Sequence, residues 1–297
     1  MLIIIADSGS TKTQWAVWDG SLWFEFYTSG FNPYFQSEQE IIQQLSKEVL
    51  PQLHRVSMEK EVRLFYYGAG CSEPQQVQTM QSSCKQVLSI SKVEVHHDLL
   101  GSARALCQHQ SGIACILGTG SNSGYYNGSS IVENVPSVGY LWGDYGSGAH
   151  FGKTLIQDYF EKQLPKELQQ AFEQEGYHRE QILKQVYSTT MPSRYLAGFS
   201  KFIVKNLQHP YMQELVNRCF ELFFKFQIAE YSRSKTETLH AVGSVAWYYK
   251  NQFVAVAVSG SWIRAMTSSD GVTWAVASSS INAMSWSSVT YGNNKFV

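Results

Sequence analysis

The chain has 297 residues, enough for two domains of ordinary size, and 44% of them are hydrophobic and 14% aromatic. Only 16% are charged and the net charge is −1, so neither a nucleic acid nor an anionic membrane surface is the expected partner. No stretch approaches the ~20 apolar residues that span a bilayer. The apolar run Met1 to Ala6 is too short for a signal-peptide core and lacks a basic lead-in, so a cytoplasmic location is expected.

The first element is an apolar run, Ile3-Ile4-Ile5-Ala6, ending in Asp7 and a turn of small and hydroxyl-bearing residues, Ser8-Gly9-Ser10-Thr11-Lys12-Thr13. It reads as a buried strand whose exit loop brings backbone N–H groups close to an anion, with Asp7 placed to hold a hydrated magnesium ion. An ordinary hairpin turn is the bland alternative. Trp15 to Trp18 and Leu22 to Thr28 continue as strands. Phe31-Asn32-Pro33-Tyr34 is a loop, and Ser37 with Glu40 forms a capping box for a helix expected to end at Pro51. Glu61 to Tyr67 is a strand running into Gly68-Ala69-Gly70, and a helix follows from about Pro74 to Val87. Val93 to His96 is a short strand with Asp98 at its exit, before a helix from Leu99 to about His109. Three strands, helix, strand, helix, strand, helix is the order of a ribonuclease-H-like half.

The pattern then restarts. Ile113 to Leu117 is a second buried strand, ending in Gly118-Thr119-Gly120-Ser121-Asn122, and further strands flank the Asn127-Gly128 turn. Two such openings suggest a duplicated half-domain holding a nucleotide. Gly139 to Gly148 is a glycine-rich loop leading into a mostly helical region that reaches Tyr231, where Phe220, Phe223, Phe224 and Tyr231 read as core. Leu239 to Val242 is a strand, and Gly243-Ser244 opens a helix through Tyr249. Beyond about Lys250 the pattern alternates, and Asn251-Gln252-Phe253-Val254 returns as Asn294-Lys295-Phe296-Val297, a spacing of 43 residues with the character of a β-propeller blade. The expected domains are 1–109, 110–250 and a β-rich segment 251–297. The five cysteines (Cys71, Cys84, Cys107, Cys115, Cys219) show no C-x-x-C pair, so reduced buried thiols are expected. His96-His97-Asp98 is not read as a metal cluster, since adjacent strand residues point opposite ways.

Taken together, Asp7-Ser8-Gly9-Ser10-Thr11-Lys12-Thr13, Gly118-Thr119-Gly120-Ser121-Asn122 and Gly143-Asp144-Tyr145-Gly146-Ser147-Gly148 resemble the BadF/BadG/BcrA/BcrD-type ATPase family and its N-acetylglucosamine kinase members. These belong to the sugar kinase, Hsp70 and actin superfamily. Residues 1–250 carry the resemblance. It implies an α/β fold of two ribonuclease-H-like domains closing on ATP and magnesium, with Ser8, Gly9, Ser10, Thr11, Lys12 and Thr13 on the β- and γ-phosphates. Gly118, Thr119, Gly120 and Ser121 would form the second phosphate loop, Gly243 and Ser244 the turn beside the adenosine, and Asp7 would orient Mg2+ through water. Asp98-Leu99-Leu100-Gly101-Ser102 matches the setting of the family's catalytic acid, which makes Asp98 the expected general base. Asn32, Asn122 and Asp144 match positions lining the sugar site. The bland readings are a helix N-cap for Asp98, a turn residue for Asn32 and a loop acid for Asp144.

The chain departs from that family in two places. Tyr145 stands where a Glu is usual in that family, and the propeller-like end stands in place of the family's own closing helices and strand, either as a genuine fusion or as an artefact of gene assembly or cloning that replaced the native tail. Weakened ATP binding is therefore expected. The function implied is ATP-dependent phosphorylation of an amino sugar, most plausibly N-acetylglucosamine, with a small-molecule sugar as partner and a homodimer allowed. The alternatives are an ATPase that activates a 2-hydroxyacyl-CoA dehydratase, which needs cluster-ligating cysteines at a dimer interface, and a nucleotide or sugar sensor without turnover.

Overall fold

The computed structural model describes residues 1–253 except 10, 55, 57–60, 91 and 235, together with residues 266, 267, 275 and 276. The chain divides into two compact units, Met1–Gly101 and Ser102–Val297. Both carry a mixed sheet with helices, the α/β architecture expected from the sequence.

In the first unit β1 (Leu2–Ser8), β2 (Lys12–Trp18) and β3 (Trp23–Ser29) form an antiparallel meander. β4 (Val62–Gly68) and β5 (Lys92–His97) join parallel to β1, giving the order β3-β2-β1-β4-β5. Strand alternation turns Leu2, Ile4, Ala6 and Ser8 of β1 into a core with Trp15, Val17, Leu64 and Tyr66. Asp7, by the same period of two, stands on the opposite face.

The core face is covered by α1 (Glu38–Gln44), α2 (Leu50–Leu53) and α3 (Pro74–Leu88), which contribute Ile41, Leu53, Met80 and Cys84. The capping box of Ser37 and Glu40 is present. The helix does not stop at Pro51. A π-turn at Leu45–Val49 intervenes, with the Leu50 N–H bonded to Leu45 O, and it restarts the hydrogen-bond register. Pro51 then falls in a first helical turn, where its missing N–H breaks no ladder bond. α4 (Asp98–Cys107) begins directly at the end of β5.

The second unit opens the same way. β6 (Ser111–Leu117), β7 (Ser121–Asn127) and β8 (Ile131–Asn134) are antiparallel neighbours, and β9 (Leu239–Val242) lies parallel to β6, in the order β8-β7-β6-β9. Between β8 and β9 run α5 (Gly139–Trp142), α6 (Gly148–Phe160), α7 (Lys166–Gln174), α8 (Arg179–Ser188), α9 (Pro192–Gly198), α10 (Ser200–Lys205) and α11 (Pro210–Phe223). α12 (Ser244–Tyr248) follows β9. Phe220, Phe223, Phe224 and Tyr231 are buried, as the helical spacing predicts. α6 and α9 cross closely at Gly152, where any side chain would run into the Leu196 carbonyl.

Residues 250–253 are helical, and Phe253 packs against the rings of Phe220, Phe223 and Phe224. The first three residues of the expected propeller repeat are thus helical rather than extended, and Phe253 among them is buried in this unit. Most of the remaining repeat lies outside the described residues. Within it, Met266–Thr267 (β10) pairs antiparallel with Ala275–Val276 (β11), and the turn signal Asp270-Gly271 lies outside the described residues.

Candidate functional site

In the first unit the carboxyl ends of three parallel strands bring the chemistry together. Asp7 pairs in register with Tyr67 on β4, and Tyr67 with His96 on β5, so Asp7, Gly68 and the His97-Asp98 step lie along one sheet edge. Ligand sites of open α/β sheets favour this edge. Asp98 opens α4, and its carboxylate accepts the Leu99 N–H at 2.9 Å. His97 Nδ1 accepts the Leu100 N–H at 3.2 Å, so two consecutive side chains pin the start of the helix. Burial lowers the His97 pKa, keeping the ring neutral in that role. Gly101 is required by packing: a Cβ there would sit 2.7 Å from Cγ of the Tyr67 ring.

Both acids are raised, and Asp7 also by the charge of its neighbour. Burial, followed by the charge of Asp98, pushes the Asp7 carboxyl up to about 6. Burial likewise raises the Asp98 pKa, against backbone N–H donors of Leu99 and of Asp98 itself.

The loop after β1 is less open to a ligand than its composition suggests. Ser8 and Thr13 are fully buried, their hydroxyls 2.7 Å apart, and Ser8 Oγ also accepts the Phe31 N–H at 3.2 Å. These hydroxyls tie the hairpin to the Phe31 loop. The Gly9 N–H is spent on Lys12 O at 3.0 Å, and the Lys12 ammonium stands 3.5 Å from the centroid of the Tyr27 ring. Thr11 is exposed, and Ser10 lies outside the described residues. Asn32 follows Phe31. Its side-chain oxygen accepts the Tyr34 N–H at 3.0 Å, a turn role, yet the same side chain lies against Gly70 at the exit of β4.

In the second unit the β6–β7 turn is closed by Gly118 N–H to Gly120 O at 2.9 Å. The carbonyls of Gly118 and Thr119 accept the N–H groups of Gly148 and Ala149 at 2.8 and 3.0 Å, and Ser147 Oγ accepts the His150 N–H at 3.1 Å. The first turn of α6 is therefore bonded to the loop and to its own cap. Ser121 donates its hydroxyl to Tyr145 O at 2.8 Å. The Asp144 carboxylate accepts from Ser137 Oγ at 2.8 Å and from the Ser121 backbone, with its pKa raised chiefly by burial. It sits at φ 51, a left-handed conformation that is costly for a residue other than glycine. The Asn122 side-chain oxygen accepts the Asn134 amide at 3.1 Å. Tyr145, in place of the usual Glu, stacks on Phe226 with centroids 5.2 Å apart. At Gly243 φ is 107, and a side chain would strike the Leu117 carbonyl, so only glycine lets the β9–α12 turn lie over the end of β6.

Part of the β6–β7 turn, the first residue of α6 and the start of α12 line a cavity of about 610 Å³, which Gly120, Ser121, Asn122, Asp144 and Gly243 do not line. It joins Gly118, Thr119 and Ser244 of the expected nucleotide elements and adds Arg194, Lys201 and Tyr248. None of those three belongs to a motif. The available signal was the seven-residue spacing of Arg194 and Lys201, two turns of helix, across the α9–α10 junction. Asp7, Asp98 and Asn32 belong to the first unit, and Gly118, Thr119, Gly120, Ser121, Asn122, Asp144, Gly243 and Ser244 to the second.

No family model matches the chain, and no curated protein matches it. Among solved structures it is similar to a candidate N-acetylglucosamine kinase from Porphyromonas gingivalis, with 39% identity, a TM-score of 0.83, and coverage of 88% of this chain and 92% of that one. The chain belongs to that sugar-kinase family. A candidate N-acetylglucosamine kinase from Chromobacterium violaceum matches at 18% identity and a TM-score of 0.68, over 84% of this chain and 90% of that one. A ROK family glucokinase from Streptomyces griseus, solved with glucose and AMPPNP, matches at 14% identity and a TM-score of 0.54, over 88% of each chain. Both share the actin-like ATPase fold of the sugar kinases.

Proposed function

We propose that the chain transfers the γ-phosphoryl group of ATP to a hydroxyl of an amino sugar, with N-acetylglucosamine as first candidate, in the BadF/BadG/BcrA/BcrD-type branch of the sugar kinases. The observation that carries this reading is the pair Asp7 and Asp98 at the carboxyl ends of β1 and β5, which flank β4, both half-buried and both with raised pKa values. Phosphoryl transfer needs positioning, neutralisation of charge and one carboxylate to take the hydroxyl proton. Asp98, fixed at the first residue of α4, is the base. Asp7 is suited to orient Mg2+ through water, because a buried acid raised by a second acid is a charge arrangement that a divalent cation relieves. When bound, that ion supplies charge neutralisation at the phosphates.

ATP fits the second unit, where Gly118 and Thr119 of the β6–β7 turn and Ser244 of the β9–α12 turn line a cavity of about 610 Å³. The glucokinase solved with AMPPNP supports that choice of nucleotide, and the two candidate N-acetylglucosamine kinases support the choice of sugar. Asn32, the Asn122 amide nitrogen and Asp144 are assigned to the sugar hydroxyls. Ser8 and Thr13 are assigned to shaping their loop, since their hydroxyls bond each other.

The test is ADP release over a panel of hexoses and N-acetylhexosamines, run beside Asp98→Asn. The expected result is turnover with N-acetylglucosamine and a loss of kcat of about 100- to 10,000-fold in the variant, the range of general-base catalysis. No turnover with any sugar, or an undiminished Asp98→Asn, sinks the assignment.

A further inference from the structure

Helix N-termini are ready anion sites because their first N–H groups lack intrahelical partners. α6 begins beside the glycine turn of the second unit, yet Gly148, Ala149 and His150 N–H are bonded to Gly118 O, Thr119 O and Ser147 Oγ. A phosphate chain lying along Gly118 and Thr119 therefore has to find its compensating charge elsewhere.

The neighbouring helices provide it. Ala197 and Ser200, at the α9–α10 junction, touch the first residue of α6: a Cβ on Gly148 would lie 3.1 Å from the Ala197 methyl and 3.2 Å from Ser200 Oγ. Arg194 lies one turn before Ala197, and Lys201 directly follows Ser200. Both side chains line the cavity that Gly118 and Thr119 line. Both also border a second cavity of about 500 Å³, so they form a shared wall between two open spaces. Among the described residues neither forms an ion pair or a side-chain hydrogen bond, whereas Arg218 and Lys205 on the same stretch of chain are paired with Asp158 and Glu175. Two cations held at a phosphate-sized glycine turn, without protein anions, suit an anionic ligand.

We propose that Arg194 and Lys201 bind the diphosphate of the donor nucleotide and make the second unit selective for nucleoside di- and triphosphates over nucleosides. This rests on the reading of the chain as an ATP-dependent kinase. Arg194 offers a planar fork for two phosphate oxygens, and Lys201 a compact charge that follows the group as it becomes product.

The test is binding of ADP and of adenosine to the full chain by calorimetry, for wild type, Arg194→Gln, Lys201→Gln and the double variant. Loss of two charge-assisted contacts is expected to weaken ADP by about 10- to 100-fold, with adenosine unchanged within about twofold. ADP affinity should also fall less steeply with added salt in the double variant, and Lys201→Arg should restore most of the loss. Equal losses for ADP and adenosine, or unchanged ADP affinity, overturn the proposal. If the double variant does not fold, Lys201→Gln alone carries the same comparison, because Lys201 is an exposed helix residue. Wild-type protein that binds neither ADP nor ATP overturns the kinase reading itself, a result distinct from a variant that binds ADP normally.

Discussion

Asp7 illustrates how a single residue links the pattern of a strand to pH. Its neighbours Ala6 and Ser8 point into the core, so Asp7 must face the other way, where it meets the charge of Asp98 in a half-buried site. Its pKa of about 6 in the folded chain lies above the ordinary 3.8, so the native state keeps a proton that the unfolded chain releases. The stabilisation from that proton is complete below the unfolded pKa and is lost as pH rises through about 6. Asp7→Asn is therefore expected to raise the melting temperature by a few degrees at about pH 8, with the advantage vanishing near about pH 4. Thermal unfolding of both proteins at those two pH values checks this, and a variant less stable than wild type at the higher pH would refute it.

At the scale of elements, the D-x-x-G pattern at Asp98 to Gly101 turns out to be a packing device. The Tyr67 ring lies where a side chain on residue 101 would stand, and this close approach sets where the first turn of α4 sits. Gly101→Ala is expected to cost about 1–3 kcal/mol of stability and to displace α4. A shift of the order of 1 Å at Asp98 is enough for about a 100-fold loss of activity. The measurement is kcat with the circular dichroism spectrum preserved, and full activity would show that the helix start is not set by this contact. The second unit uses the same logic at Gly152, where α6 and α9 approach closely and bring Arg194 and Lys201 toward the glycine turn. These contacts join residues distant in sequence, so no local pattern announced them. The helical run that starts with α1 continues past Pro51 for a related reason. Pro51 is a reliable stop only when the helix keeps its register, and the π-turn at Leu45–Val49 resets it.

Across the whole molecule the five thiols bear on the competing function. All five are buried, and burial pushes Cys71, Cys84, Cys107 and Cys219 up to about 12 and also holds Cys115 well above the ordinary thiol value. An activator of a dehydratase needs thiolates that ligate a cluster between subunits, which requires exposed sulfur of low pKa. The native protein is expected to be colourless and to react with an aromatic disulfide reagent at none of the five sites until it is unfolded. A brown, iron-bearing preparation would favour the dehydratase activator. Among the described residues no helix is long and apolar enough to cross a membrane.

The sequence by itself determined the strand-loop-strand openings at Asp7 and Gly118, the capping box at Ser37, the acid at the end of β5 and the glycine demanded by the left-handed turn at Gly243. Each of these follows from short-range rules: the period of two along a strand, the reach of a cap, the φ that only glycine accepts cheaply. Tertiary structure decided the rest. It turned Ser8 and Thr13 inward and set Asn32 against Gly70. It also drew Phe253 into an aromatic pocket and gathered Arg194, Lys201 and Tyr248 around the glycine turns. Those outcomes depend on which surfaces meet, and side chains far apart along the chain meet only when packing brings their elements together.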